Sequence, residues 1–328
     1  MIRHPALARA MTWIAAHPVL AFFVFFAVFP FLLPYKALAT QVLIFGLFAL
    51  GFNLLYGYTG LLSFGHAAYY GLGAYGTGIA LAKLHVGSLW LGLGAGLLLA
   101  GIGGVVIGFF CLRRRGIYFA MLTLAFAQLL YFIGFHLADV TGGDDGLRGI
   151  PQLALGLPGF SVSLDASLAF YYFCFVLVGL AVAALKRLLD SPFGAVLQAI
   201  RENSDRAIAC GYDISRVKLL SFVFSAMFAG LAGALDALRL TVVPIESLYW
   251  TTSGQVVMMT LLGGAGTFFG PFVGAATFLI LEDRLSIFTE SWPLVIGAIF
   301  SAFVLFLPRG IWGTLIGGLR QASPSRGA

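Results

Sequence analysis

The chain has 328 residues, of which 60% are hydrophobic and only 10% are charged. A soluble domain normally carries about 25% charged residues, so this composition excludes an ordinary water-soluble globular protein. We expect one membrane domain over residues 1–328, because no polar stretch is long enough to fold separately. The net charge of +6 is better explained by basic loops on the cytoplasmic side of a membrane than by binding of nucleic acid.

The pattern of apolar segments predicts an all-α, polytopic integral membrane protein with about ten membrane elements, some of them short or broken. A helix needs about 20 apolar residues to cross about 30 Å of hydrocarbon, and fewer where protein shields it. The clear candidates are 19–34, 40–56, 89–111, 117–137, 166–185, 218–239 and 293–307. Two further regions, 61–82 and 254–281, are interrupted by glycine, and we divide the second into two short elements. Eight or nine full spans with re-entrant pieces fit almost as well.

The distribution of charge predicts the orientation of the chain. With both termini in the cytoplasm, 14 of the 19 basic residues lie on the cytoplasmic side and 8 of the 13 acidic residues lie outside. The positive-inside rule favours this arrangement. It makes the loop 139–165 an outer loop and the loop 186–217 an inner one.

These two loops differ in chemistry. The outer loop is acidic and rich in Gly and Pro, and it contains the run from Thr141 to Gly146. The inner loop predicts an amphipathic helix that starts at Ser191-Pro192, because apolar residues recur there at helical spacing. A second short helix is expected to end at Gly211. A helical loop between two spans is more often a docking element than a spacer.

No signature of an energy source or of catalysis is found in the sequence. A Gly-x-x-x-x-Gly-Lys-Ser/Thr loop for nucleotide phosphates is absent, as are a nucleophile elbow and a metal-ligand spacing. The three cysteines are scattered and suggest no disulfide framework. We therefore expect no enzymatic activity, no metal and no cofactor bound by this chain.

Few ionisable residues lie inside the predicted spans, although an ion-coupled carrier would need them there. For His66 we weigh a neutral imidazole that is hydrogen-bonded between helices against a place on a translocation path, and we favour the first. Asp236 and Arg239, at i and i+3 on one helix face, are expected to pair with each other.

Most of the 42 glycines are expected to serve helix packing, because small residues let helices approach closely in lipid. The breaks at 57–60 and 263–270 differ, since irregular backbone at membrane depth is tolerated only where protein or a water cavity covers it. They point to a translocation path. The candidate path residues are Asn53, Gly57, Gly60, Ser63, His66, Gly263, Gly266 and Gly270.

Several blocks of sequence, in the right order, carry a family resemblance that covers nearly the whole chain after the first span. They lie at 53–67, 115–124, 141–146, 225–233 and 263–271. With these blocks the chain resembles the LivM-type permease subunit of branched-chain amino-acid ABC importers. The resemblance implies a multi-pass protein of the bacterial inner membrane that translocates branched-chain amino acids or related small organic solutes, driven by ATP. The family also serves urea, amides and aromatic or dicarboxylic acids, and a stand-alone ion-coupled carrier or channel is the alternative from another class.

The inner loop is similar to the cytoplasmic loop of ABC permeases, where Glu-Ala-Ala is followed, after three residues, by Gly. Here Asp205-Arg206-Ala207 stands at the same spacing before Gly211, with Asp replacing Glu and Arg replacing the first Ala. The resemblance implies that the segment seats on an ATPase. The residues assigned to this ATPase coupling are Arg201, Glu202, Asp205, Arg206, Ala207 and Gly211.

The same resemblance implies the partners of the chain. They are a second, LivH-like permease, two cytoplasmic ABC ATPase subunits that use the ATP, and a periplasmic substrate-binding protein. The lipid bilayer is the surrounding medium, and nucleic acid is not expected as a partner.

Overall fold

A computed structural model of the protein describes residues 18–151, 155–157, 160–162 and 167–315. Both chain ends, which the charge pattern assigns to the cytoplasm, lie outside these residues, as does part of the predicted outer loop 139–165.

Long helices make up almost all of the structure. In chain order they are α1 (Pro18–Val28), α2 (Lys36–Asn53), α3 (His66–Ala82), α4 (Leu89–Cys111), α5 (Ile117–His136), α6 (Ser167–Leu189), α7 (Pro192–Glu202), α8 (Ser204–Ala209), α9 (Ile214–Leu240), α10 (Trp250–Gly263), α11 (Gly270–Phe288) and α12 (Trp292–Phe306). Within the described residues, α7 and α8 form the inner loop and the other ten helices are apolar. The predicted all-α membrane protein with about ten membrane elements is confirmed.

The apolar helices differ in length. Six segments are long and apolar enough to cross a membrane, namely Lys36–Tyr58, Leu89–Cys111, Ile117–His136, Ser167–Leu189, Ile214–Leu240 and Trp292–Leu315. Helix α10, by contrast, has only 14 residues. The break that was predicted inside 254–281 falls between α10 and α11, at residues 264–269.

Short strands in and near the predicted outer loop were not expected, because segments of two or three residues show no alternating pattern. Strand β1 (Leu147–Arg148) pairs antiparallel with β4 (Val242–Val243), and β2 (Leu155–Leu157) pairs with β3 (Phe160–Val162). The first pair joins the outer loop to the connection that follows α9. Single turns of helix complete the connections, at Phe29–Phe31, Ala138–Thr141, Gly143–Asp145 and Ile245–Leu248.

Helices α2, α3 and α9 form the centre of the molecule. Most of α2 is buried, and Leu43, Leu47 and Phe48 have no exposed surface. The outer helices expose large apolar side chains instead, such as Leu98 on α4 and Phe132 on α5. An apolar surface of this extent indicates that lipid is the solvent of these faces.

Helix α3 begins between other helices, beside the interior of α5 and the start of α10. Residues 59–65 are not helical, and they lead from the inner end of α2 to the first turn of α3. The backbone N–H of Phe64 donates to Thr123 Oγ1 (3.1 Å), and the N–H of Ala67 donates to Ser253 Oγ (2.8 Å). Thr123 lies about 9 Å along α5 from its inner end, at 1.5 Å per residue. The chain therefore turns back between the other helices after α2 before α3 starts.

Close packing of α3 against α9 gives a test of the fold. A Cβ atom on Gly73 would lie 2.5 Å from the carbonyl carbon of Gly230, whereas a Cβ on Gly94 of α4 would meet nothing within 4 Å. We expect Gly73→Leu to lower the free energy of unfolding by about 1–3 kcal/mol, because overpacking forces the two helices apart. The matched change Gly94→Leu should leave it unchanged or slightly raise it. Thermal unfolding in detergent measures both, and equal stability of the two variants would contradict the packing described.

Candidate functional site

The inner end of α2 is the first of two irregular segments. After Asn53 the helix continues as a π-helical turn, Leu54–Tyr58, and Gly60 then takes a positive φ of +77°. A π-helical turn is rare and occurs frequently at functional sites. It leaves the carbonyl groups at the helix end in need of partners other than the usual backbone N–H groups.

The second irregular segment, residues 264–269, joins α10 to α11. Gly263 is the last residue of α10 and Gly270 the first of α11, and a Cβ on Gly263 would collide with the carbonyl oxygen of Gly270. Thr267 holds the turn closed: its hydroxyl donates to the carbonyl of Gly264 (2.7 Å) and accepts from the N–H of Gly270 (3.2 Å). Gly266, with φ of +79°, lies at the tip.

Asn53 joins the two irregular segments. Its side chain has no exposed surface, its Oδ1 accepts from the N–H of Gly266 (2.8 Å), and its Nδ2 donates to the carbonyl of Thr267 (2.9 Å). The backbones approach so closely that a Cβ on Gly57 would lie 2.5 Å from the nitrogen of Gly266. One amide side chain thus satisfies two backbone groups that would otherwise be buried without partners.

Arg201, at the end of α7, reaches the same place from the inner loop. Its Nη1 donates a hydrogen bond to the carbonyl oxygen of Gly57. A Cβ on Gly60 would lie 3.3 Å from Arg201 Cγ, and a Cβ on Gly266 would lie 2.9 Å from Nη1. We call Asn53, Gly57, Gly60, Gly266 and Arg201 the inner junction. Four predicted path residues and one predicted coupling residue therefore meet, although they come from three separate parts of the sequence.

His66 belongs to a different cluster, nearer the middle of the membrane. It is fully buried, and its Nε2 lies 2.8 Å from the hydroxyl of Ser225 on α9. Ser225 donates its single proton to the carbonyl of Gly51 (2.6 Å), so it must accept from His66, and the imidazole carries its proton on Nε2. The interhelical hydrogen bond favoured from the sequence is present. A role of His66 in translocation stays a prediction.

Ser63 lies in the non-helical segment before α3, away from the inner junction. It is fully buried, and its Oγ accepts from the N–H of Gly65 (3.3 Å). Its hydroxyl thus supports the local turn that leads into His66.

The inner loop has the two helices that its sequence predicts. Helix α7 begins at Pro192 after Ser191 and buries Val196, Leu197 and Ile200. Helix α8 is capped by Asn203, whose Oδ1 accepts from the N–H groups of the first turn at 3.0 Å. Gly211, with φ of +86°, follows its end.

The six predicted coupling residues fall into three environments. Glu202, Asp205 and Arg206 are exposed, and Gly211 has open space around it. Ala207 is buried between α7 and α8, where it packs with Val196 and Ile200. Arg201 is also exposed, but its guanidinium bonds to the carbonyl of Gly57 in the spans. Contact between this loop and an ATPase stays a prediction.

The predicted pair of Asp236 and Arg239 is confirmed. Arg239 Nε lies 2.7 Å from Asp236 Oδ1. The hydroxyl of Tyr70 on α3 donates to the other carboxylate oxygen at 2.7 Å, so the pair also ties α3 to α9. The described residues contain no group of three or more His, Cys, Asp or Glu side chains that could hold a metal ion.

Several residues that build these clusters were missed from the sequence. Thr123, Ser225 and Ser253 each connect separate segments by a hydroxyl group, and the hydroxyl of Thr267 closes the turn between α10 and α11. A Ser or Thr in an apolar helix usually bonds to the carbonyl one turn earlier in its own chain. The sequence gives no local sign of which hydroxyl reaches another helix instead.

Comparison with known proteins agrees with this architecture. The family described as "Branched-chain amino acid transport system / permease component" matches residues 35–307, a range that includes both irregular segments and the inner loop. The chain belongs to this family. No solved structure gives a significant match.

Individual relatives include both kinds of permease protein of one transport system. The high-affinity branched-chain amino acid permease protein LivM of Salmonella typhimurium is 31% identical over 294 residues, which cover 84% of this chain and 69% of that protein. A probable LivM of Methanocaldococcus jannaschii is 26% identical and covers 78% of this chain and 83% of its own. The LivH permease protein of Escherichia coli is 26% identical, with 82% and 91% covered.

The double role of Asn53 gives a prediction for this permease. In Asn53→Leu the N–H of Gly266 and the carbonyl of Thr267 lose their partner, and leaving a buried polar group unsatisfied costs about 1–3 kcal/mol. We expect a correspondingly lower free energy of unfolding in detergent. The control is Gln128→Leu on α5, because this half-buried glutamine forms no side-chain hydrogen bond within the described residues. Equal loss of stability in both variants would show that the amide of Asn53 is not the link.

Proposed function

We propose that the chain is the permease subunit of an ATP-driven ABC importer that moves branched-chain amino acids or related small organic solutes across the bacterial inner membrane. The inner junction carries this proposal. A helical cytoplasmic loop touches, through Arg201, the two places where membrane helices are irregular. This arrangement suits a permease whose membrane helices are moved from the cytoplasm by another protein.

The class of solute is taken from the family. Its description and the names of the LivM and LivH relatives all refer to branched-chain amino acids. Urea, amides and aromatic or dicarboxylic acids remain the alternatives within the proposed importer.

A second permease and a pair of ATPases complete the proposed complex. The chain is similar over most of its length to LivH as well as to LivM, which supports an assembly of two related permeases that share one path. On the cytoplasmic side, α8 and the residues after it expose Ile208 and Tyr212, of which about half is accessible. Exposed apolar side chains on a loop in water favour cover by a partner, and we assign this place to the ATPase.

The outer face fits a soluble delivery protein. A surface cavity of about 540 Å³ is lined by acidic side chains, Asp144, Asp145 and Glu246, together with Arg148 and the end of α9. Negative potential at this position would steer a basic surface of a periplasmic substrate-binding protein towards the permease.

Reconstitution tests the function. We expect proteoliposomes that contain this chain, a LivH-like permease, both ATPases and the binding protein to take up labelled leucine only when ATP is supplied. The chain alone, under a proton or sodium gradient, should take up none, because the proposed importer is driven by ATP that its partner subunits hydrolyse. Gradient-driven uptake by the isolated chain would overturn the proposal in favour of a stand-alone carrier. Binding of each candidate solute to the binding protein distinguishes the substrates.

The native cysteines test the proposed orientation. Cys111 and Cys174 are buried, whereas Cys210 after α8 is exposed. A membrane-impermeant maleimide should therefore label Cys210 in inside-out vesicles from cells that lack the ATPase subunits, and not in intact cells. A Cys210→Ser, Asp144→Cys variant should show the opposite pattern. Labelling of Cys210 from outside intact cells would reverse the orientation.

A further inference from the structure

We propose that Arg201 is the positioning residue through which the inner loop moves the two irregular segments of the spans, rather than a residue that contacts the ATPase. This inference rests on the proposed function and assigns a different role to one residue of its coupling loop.

The direction of the Arg201 side chain is the first observation. Arg201 and its neighbours Glu202, Asp205 and Arg206 are all exposed, but none of the neighbours' side chains forms a hydrogen bond to a membrane helix within the described residues. Arg201 bonds to the carbonyl of Gly57, which is 144 positions away in the sequence. The loop therefore has an outward side that is free for a partner and one side chain that reaches inward.

The chemistry of the contact is the second observation. The carbonyl groups at the end of a helix carry partial negative charge, and a cation there is stabilising. The described ion pairs involve Arg148, Lys186, Arg216 and Arg239, so within this part of the chain no carboxylate neutralises Arg201. The positive charge of Arg201 is instead balanced by the carbonyl groups at the end of α2. Any displacement of α7 must either pull this helix end with it or break a charged hydrogen bond.

The position of the contact is the third observation. Arg201 touches α2 at Gly57 and Gly60 and also lies against Gly266 in the turn between α10 and α11. Asn53 fastens these two segments to each other. A single side chain of the inner loop thus acts on both segments at once. These segments lack the regular ladder of backbone hydrogen bonds that makes a helix stiff, so they are where the membrane domain can bend.

Uptake per ATP hydrolysed separates this role from docking. In the assembled complex we expect Arg201→Gln to retain both ATPases and most of the ATP hydrolysis while uptake of labelled leucine falls about tenfold, which lies within the range of coupling between sites in proteins. Arg201→Lys keeps the cation without the planar guanidinium and should recover part of the uptake. The control is Arg187→Gln, an exposed residue on the same side with no side-chain hydrogen bond among the described residues, which should keep the wild-type ratio.

A second measurement needs no transported solute. Ala265 is half-buried in the turn between α10 and α11. In a Cys210→Ser, Ala265→Cys background, we expect the rate of maleimide labelling to differ several-fold between the nucleotide-free complex and the complex trapped with ATP. The difference should disappear when Arg201→Gln is added and should remain when Arg187→Gln is added.

The outcomes distinguish the two proposals. If the wild-type chain does not copurify with ATPases or shows no ATP-dependent uptake, the proposed function fails and the inference fails with it. If the complex transports but Arg201→Gln loses its ATPases, or lowers hydrolysis and uptake in parallel, Arg201 is a docking residue and only the inference is overturned. A labelling difference that persists in Arg201→Gln, or is absent from the wild-type background, also overturns it.

Discussion

The hydrogen bonds of one buried asparagine hold together the two irregular segments of the membrane domain. Backbone that leaves regular helix geometry within a membrane must find its partners in the protein, because lipid offers none. Asn53 supplies both an acceptor and a donor to the turn between α10 and α11, and it does so from the residue at which α2 itself becomes irregular. The two irregular segments are therefore not independent: each exists in its present form because the other lies against it.

A second cluster, around His66, fixes the start of α3. Here too, buried polar groups find their partners within the protein. Ser225 accepts a hydrogen bond from His66 and donates one to the carbonyl oxygen of Gly51, so one hydroxyl group links α2, α3 and α9. Ser253 and Thr123 bind the backbone on either side of His66. The segment between α2 and α3 is thus held at both ends. Its beginning lies against Arg201 at Gly60, and its end is bound by the hydroxyl groups of Thr123 and Ser253. The central helices, α2, α3 and α9, connect the two clusters.

The sequence predicts the membrane helices well because their signal is the length of an apolar run, which depends on no distant contact. It also predicts the irregular segments, since Gly263, Gly264 and Gly266 interrupt one such run. The inner helices follow from the Ser191-Pro192 start and the apolar spacing up to Ile200. What could not be predicted is which distant groups meet. Asn53 is adjacent in sequence to Leu54 and Phe52, and nothing there indicates that its amide serves Gly266 and Thr267. For Arg201 the family pattern suggested a contact with an ATPase, while the fold turns its side chain towards Gly57.

The shortness of α10 has a consequence for how the protein is made. Its 14 residues extend about 21 Å, less than the roughly 30 Å of a hydrocarbon layer, so α10 alone is too short to span the layer. The turn at 264–269 would then present unsatisfied peptide groups to lipid if α10 and α11 entered the membrane by themselves. They require α2 to be in place already, with Asn53 facing them. Asn53 precedes Thr267 by 214 positions, so α2 leaves the ribosome long before α10 and α11 are synthesised. The order of synthesis therefore places Asn53 in the membrane before the turn that needs its hydrogen bonds.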